Sequence, residues 1–478
     1  MGQRDHSSGD IEPQTTGRSR LRAALAALAV VTLTATLMSG IAGADAHVSE
    51  QSGVLPDGTP YLISVPEDWN GVLINDLDYV SNADTSTSLA LLELGYALSG
   101  TSRHPDRRYE YDPDFEISKL LTVRDIAVEE FGDPTYLIAY GRSGGGNVAL
   151  ATAEHYPQEI DGAVSTCAHD AIPLMNQGLD LFFVLKSLLA PDRDDLWPGG
   201  DYDLLPDSHP DIAAGWQEVL DAALTTPSGR ARMALALTVA QYPAWTAGER
   251  PESRDLEAVT ESILQTVRST ANNNRIGGQS RVMFENSAGA LSWNTGVDYE
   301  EFFRNGNAVL KRVVHELYAQ AGLDVGEDLS TVNASPRISP DPSAIDFWTG
   351  PGRYVTGDLT VPVVRSHTAG DLAVPHPVLD GYAAKVRDSG SNSMYRSVFI
   401  DRAGHCNFTP AEIAAQVEVL VERLETGHWP PTSPTQMNRL AMSLGTGSDS
   451  SFIRYESDRI SPVVRYNRSW SPSDVISD

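Results

Sequence analysis

Cysteine is nearly absent: the chain has two in 478 residues. That excludes a disulfide-dense scaffold and a Cys₄ zinc site. Positive charge is also scarce, with 35 Lys and Arg against 64 Asp and Glu and a formal net charge of −29. Nucleic-acid surfaces and adhesion to anionic lipid both need clustered cations, so neither partner is expected. There is no phosphate-binding loop and no nicotinamide fingerprint, so no cofactor is implied. No His, Asp or Glu cluster has ligand spacing near either cysteine, so no metal is expected. Apolar residues make up 41% and charged residues 21%, which fits a folded globular chain rather than a disordered one.

Long hydrophobic runs are confined to the N-terminus. Arg18, Arg20 and Arg22 precede the apolar stretch Ala23–Met38, and Ala44-Asp45-Ala46 has the small-x-small form of a cleavage site. Residues 1–46 read as a secretory signal cleaved after Ala46, leaving an extracellular chain without stable membrane association. The run is near the lower limit for spanning and rich in Ala and Thr, which disfavours a retained anchor. No other segment is expected to cross a membrane.

Beyond the signal, strand and helix patterns alternate. Leu55-Pro56-Asp57-Gly58 is a turn between two β-prone stretches and predicts a hairpin. Strands are expected at Gly71–Ile74, Tyr96–Ser99, Thr135–Tyr140 and Ile160–Ser165. Helices are expected at Ser86–Leu94, Ile117–Phe131 and Gly146–His155. Such alternation argues for parallel βαβ units. From about Ala168 to Tyr354 helical patterns dominate: Asp180–Leu189, Ile212–Leu224, Arg230–Ala240, Leu256–Arg268 and Tyr299–Ala321. Strands return at Thr360–Ser366 and Ser397–Ile400, followed by a helix at Pro410–Thr426. Residues 428–435 read as a rigid Pro-rich linker, and Phe452–Tyr455 with Pro462–Tyr466 as a short hairpin.

The chemistry starts at Ser143. Gly141-x-Ser143-x-Gly145 lies between an apolar strand and a helix. A nucleophile elbow needs that context, because the Ser sits in a strained turn where small neighbours avoid clashes. A Gly-rich turn that merely binds an anion would look similar. A serine nucleophile also needs a base, and the base needs an orienting acid. Gly370-Asp371-Leu-Ala-Val374-Pro375 follows one late strand, and Gly404-His405 follows the next. His367 and His376 flank Asp371, but neither follows a later strand.

Taken together, the elbow, the G-D-x-x-V-P loop and the G-H loop resemble the α/β-hydrolase superfamily, over roughly residues 55–167 and 355–430. The resemblance implies an α/β fold with a mostly parallel central sheet flanked by helices. It implies core segments at 47–167 and 355–427, a helical cap at 168–354 inserted before the acid-bearing strand, and a C-terminal linker and extension at 428–478. It makes Ser143 the nucleophile, His405 the base and Asp371 its orienting acid. Oxyanion donors would be the Gly144 N–H and the N–H of Leu77 or Asp78. The loop reads Asn75-Asp76-Leu77-Asp78-Tyr79 where many members carry His-Gly. Asp76 and Asp78 would either cap the loop or, with Glu285, hold a substrate amine. Arg103, Arg107 and Arg108 could neutralise them.

In this fold the strand ends bearing Cys167 and Cys406 lie on one face, so a disulfide between them is expected in an exported chain. The expected activity is that of a secreted serine hydrolase cleaving carboxylic esters, lactones included, through an acyl-Ser143 intermediate. An exopeptidase resembling prolyl or tripeptidyl aminopeptidases is the alternative. A catalytically inactive binding protein on the same scaffold is a third. The expected partner is a small ester or peptide-like substrate.

Overall fold

The computed structural model describes residues 48–103, 111–196, 210–272 and 279–455. The expected signal at 1–46, Arg107, Arg108 and Pro462–Tyr466 lie outside them. The predicted first turn is present. The Gly58 N–H donates to Leu55 O at 2.9 Å, and the Asp57 carboxylate accepts from Thr59 N at 2.9 Å. Gly58 takes φ 91°, a left-handed conformation that glycine adopts without a Cβ clash. This turn joins β1 (Val48–Val54) antiparallel to β2 (Pro60–Pro66).

Seven further strands follow: β3 (Val72–Asp76), β4 (Ala97–Thr101), β5 (Tyr136–Arg142), β6 (Gly162–Thr166), β7 (Val363–Gly370), β8 (Tyr395–Ala403) and β9 (Phe452–Ile453). The sheet order is β1-β2-β4-β3-β5-β6-β7-β8-β9. From β4 to β8 every pairing is parallel, and the edges are antiparallel. All residues of β3, β4, β6 and β7 are buried, because helices cover both faces. One face packs Ile117, Val123, Val148 and Leu150 from the helices Pro113–Phe131 and Gly144–His155. The other packs Leu91, Ile413, Val417 and Leu420 from Ser86–Glu93 and Pro410–Thr426. Each such side chain contributes about 1.5–3 kcal/mol through the apolar area it removes from water.

The insertion lies between β6 and β7 and is helical among the described residues. Residues within 181–271 and 297–332 build a second core, Trp216, Leu235, Ile263 and Val314 among them. Between and after those stretches, Phe284, Leu291, Trp293, Ala344 and Trp348 pack into the main core.

Several elements depart from the sequence expectation. The helix expected at Asp180–Leu189 begins at Ala171. Pro173 is tolerated because it falls in the first turn, where its missing N–H has no helical partner. This helix is long and apolar enough to cross a membrane, contrary to the expectation that no segment after the signal could. Its residues are instead mostly buried inside the fold. The helix expected over Tyr299–Ala321 is two, Tyr299–Arg304 and Ala308–Ala321. The Asn307 side chain accepts from Val309 N and Leu310 N and so starts the second one. After the Pro-rich stretch, Pro434–Ser443 is a helix whose Met437 and Ala441 are buried. Phe452–Ile453 pairs with Phe399 and Ile400 of β8 and extends the main sheet, while the other arm of the expected hairpin lies outside the described residues.

Candidate active site

Ser143 sits between β5 and the helix Gly144–His155 with φ 55° and ψ −118°. A non-glycine residue there costs about 1–3 kcal/mol, which the surroundings must offset. Two hydrogen bonds hold it: Ser143 N to Thr166 O at 3.0 Å, and Asn147 N to Ser143 O at 3.1 Å. The turn is possible because of what surrounds it. A Cβ built at Gly141 would lie 2.2 Å from Gly145 backbone, and one at Gly146 would lie 2.8 Å from Thr166 O. At Gly145 the nearest atoms would be 3.5 Å away, an ordinary contact. Sterically, therefore, the obligatory glycines are 141 and 146. The motif's own second glycine, 145, has room for a methyl group.

The structure brings Ser143, His405 and Asp371 into one hydrogen-bonded chain. Ser143 Oγ is 2.8 Å from His405 Nε2, and His405 Nδ1 is 2.7 Å from Asp371 Oδ2. Asp371 is fully buried at the end of β7, whereas the His405 side chain is 31% exposed, so the imidazole edge is reachable from solvent. Asp371 Oδ1 accepts from Ala373 N at 2.8 Å and Val374 N at 3.0 Å, which fixes the carboxylate's orientation. His367 is not in contact with Ser143. Its Nε2 lies 2.5 Å from Val374 O and 3.6 Å from Asp371 Oδ2, bracing the acid loop from below. Burial pushes the His367 imidazole down to about 4, with the nearby Asp371 charge opposing. It is therefore neutral at pH 7. His376 pairs at 3.7 Å with Asp380 and stacks edge-on with Tyr455, away from the chain of three.

The loop carrying His405 is tied on three sides. Cys406 is disulfide-bonded to Cys167, with Cα atoms 5.4 Å apart. Both cysteines have positive φ, 44° and 53°. Cys406 O accepts from Arg142 Nη2 at 2.6 Å, and Gly404 O accepts from Thr368 Oγ1 at 2.7 Å. Cys167, His405 and Cys406 converge closely enough to suggest a metal set. The two sulfurs are consumed by the disulfide, so no thiolate is left to bind one.

On the opposite side of Ser143, Leu77 and Asp78 follow β3 and lie over Gly145. The Asp78 N–H is donated to Asp76 Oδ1 at 3.2 Å. Asp76 is buried, and its carboxyl is pushed up to about 7 by that burial and by the Asp78 charge. Asp78 itself is bound edge-on by Arg103, with Nε to Oδ1 and Nη2 to Oδ2 both at 2.9 Å. The acidic pair is therefore not presented as two open carboxylates. Glu285 is buried. Tyr111, which no motif in the sequence marks, donates to Gly144 O at 2.7 Å and packs with His169, Phe284 and Trp348. The polar stretch after Asn286 is largely internal, with Leu291, Trp293 and Asn294 buried and Trp293 N donating to Asn176 Oδ1. A cavity of about 180 Å³, lined by Tyr242, Trp245, Arg250, His376 and Tyr455 among others, borders the acid loop but is not lined by Ser143, Asp371 or His405.

The strand order, the parallel centre, the insertion after β6 and the loops after β5, β7 and β8 together define an α/β-hydrolase. The chain is 40% identical over 449 residues to o-phthalyl amidase of Xanthobacter agilis, covering 89% of this chain and 98% of that protein. It belongs to the family of that enzyme and is a hydrolase of the esterase or amidase kind. No protein-family model matches the chain. Among solved structures, feruloyl esterase B of Aspergillus oryzae is similar at 14% identity and TM-score 0.37, covering 80% of this chain and 81% of that one. An esterase of Pyrococcus furiosus is similar at 10% identity and TM-score 0.36, covering 79% and 91%. Likenesses this distant carry no argument about substrate.

Proposed function

We propose that this chain is a serine amidase that releases an aromatic acyl group of the o-phthalyl type from an amine, through an acyl-Ser143 intermediate. The carrying observation is the continuous Ser143–His405–Asp371 chain at 2.8 and 2.7 Å. The relative's activity supports amide over ester as the bond cleaved. Ser143 Oγ attacks the carbonyl carbon, and His405 Nε2 takes its proton. The imidazolium then protonates the amide nitrogen, the C–N bond breaks and the amine leaves. Water, deprotonated by His405, attacks the acyl carbon and regenerates Ser143 with release of the acid. Asp371 holds the imidazole so that Nε2 faces the hydroxyl. The N–H groups of Gly144 and Leu77 receive the developing oxyanion.

Esters of the same acids pass through the same acyl-enzyme and are expected as faster, less selective substrates. Export is part of this reading. The Cys167–Cys406 bridge supports it, because such bonds persist in oxidising compartments. The test is covalent labelling with a fluorophosphonate together with turnover of 2-carboxybenzoyl p-nitroanilide. Wild type should take the label and release nitroaniline, and Ser143→Ala should do neither. A wild type that takes no label sinks the serine mechanism, and one that cleaves only esters sinks the amidase assignment.

A further inference from the structure

One guanidinium next to the nucleophile takes no part in the bond-breaking steps. Arg103 follows β4 and packs against Gly144, the residue after Ser143. A Cβ built at Gly144 would be 3.1 Å from its Nη2, 3.3 Å from Nη1 and 3.4 Å from Cζ. A side chain at position 144 would crowd the guanidinium. The Nε and Nη2 atoms are committed to Asp78, which fixes the plane of the group. Guanidinium carries five N–H donors in a rigid fork, so the Nη1–Nη2 edge keeps donors that have no acceptor among the described residues. The Arg103 side chain is 39% exposed. Asp78 therefore acts as the holder of Arg103 rather than as a receptor for an amine.

We propose that Arg103 is the anion subsite of the acyl pocket, selecting acyl groups that carry a carboxylate beside the scissile carbonyl. An o-phthalyl group has that layout: its free carboxylate is on the ring carbon adjacent to the one bearing the amide. With the amide carbonyl oxygen at the Gly144 N–H, the neighbouring carboxylate falls on the same side as the guanidinium packed against Gly144. A planar carboxylate matches the remaining edge of the fork. Protonation of Asp76, whose carboxyl is pushed up to about 7, limits the negative charge that a second carboxylate meets there. The subsite rests on the acyl-serine reading for its role in turnover, but its binding can be measured separately.

The test compares 2-carboxybenzoyl and benzoyl p-nitroanilides in wild type, Arg103→Gln and Arg103→Lys. Wild type should prefer the carboxylated substrate by about 100-fold in kcat/KM, the scale of a bidentate charge-assisted pair. Arg103→Gln should collapse that ratio to within about threefold, mainly through KM, while Arg103→Lys should recover only part of it. A ratio unchanged in both variants overturns the proposal. If Arg103→Gln does not fold, Arg103→Lys decides: its ratio must fall about tenfold, because an ammonium lacks the fork. Calorimetric binding of phthalate and benzoate to Ser143→Ala reads the subsite without turnover. Phthalate must bind more tightly than benzoate, and the difference must vanish when Arg103→Gln is added. Equal binding overturns the subsite even where the amidase assignment holds. Preferential phthalate binding with no anilide cleavage would leave the subsite standing and remove the amidase assignment.

Discussion

The disulfide beside His405 offers the sharpest perturbation. Cys167 and Cys406 are separated by 239 residues in sequence, so their bond closes a very long loop in the unfolded chain. On the chain-entropy account such a loop stabilises the native state by about 5 kcal/mol at 25 °C. That is an upper figure, since the unfolded reference retains structure. The bond also secures two residues at positive φ, 44° and 53°, which Ala would occupy only at about 1–2 kcal/mol each. Removing the bridge therefore lowers stability and frees the His405 loop at once. The ties from Arg142 and Thr368 would remain, so the loop should loosen rather than unfold. A displacement of the imidazole by about 1 Å costs about 100-fold in rate. The experiment is urea unfolding and steady-state kinetics of the Cys167→Ala/Cys406→Ala protein against wild type, with and without reductant. We expect a lower unfolding midpoint, a kcat reduced about 100-fold, and wild type shifting toward the variant when reduced. A bridge-free protein with wild-type midpoint and kcat within twofold of wild type would refute the reasoning.

Three further outcomes are expected. Asp371→Asn should lower kcat by about 10⁴ with little change in KM, because the imidazole loses its orienting acceptor; a tenfold effect or less in steady-state assays would count against that role. Gly146→Ala should destabilise strongly or prevent folding, and Gly145→Ala should fold with a melting temperature near wild type, because only the first places a Cβ under 3 Å from backbone; equal melting temperatures would show that the elbow relaxes. His367, with its folded value near 4 against about 6.5 unfolded, binds its proton in the unfolded chain first. Stability should therefore fall as pH drops from 6.5 to 4, by up to about 3 kcal/mol. His367→Gln should flatten the pH dependence of melting across that window, and an unchanged slope would contradict the burial argument.

The parts of this molecule that the sequence exposed are those in which local chemistry and local structure coincide. Ser143, Asp371 and His405 each sit in a short loop whose neighbours are dictated by the turn itself: Gly141 below the nucleophile, Gly370 before the acid and Gly404 before the imidazole. The inner strands were legible because burial on both faces leaves unbroken apolar runs, as in Val72–Ile74. What stayed hidden depends on partners far away in sequence. The pairing of Phe452 and Ile453 with β8 shows only once the two strands are side by side. The start of the helix at Ala171 is masked by Pro173, which reads as a breaker unless the first turn is already located. For Asp76 and Asp78 the sequence leaves loop capping and recognition of a substrate amine both open. Only the folded chain brings Arg103 to one and buries the other. His367 drew attention as a rival base, yet its ring is occupied with Val374 O and the acid loop.

The split loyalty of the insertion has a practical side for anyone grafting specificity between relatives. Most of its helices close on one nucleus, which joins Trp216 and Ile263 to Tyr299 and Val314 further along the chain. The segments between and after them lend Phe284, Trp293 and Trp348 to the nucleus beneath the sheet. A swap cut at the ends of the whole insertion would thus leave a void under the catalytic layer, and because the two sets alternate along the chain no single internal junction separates them.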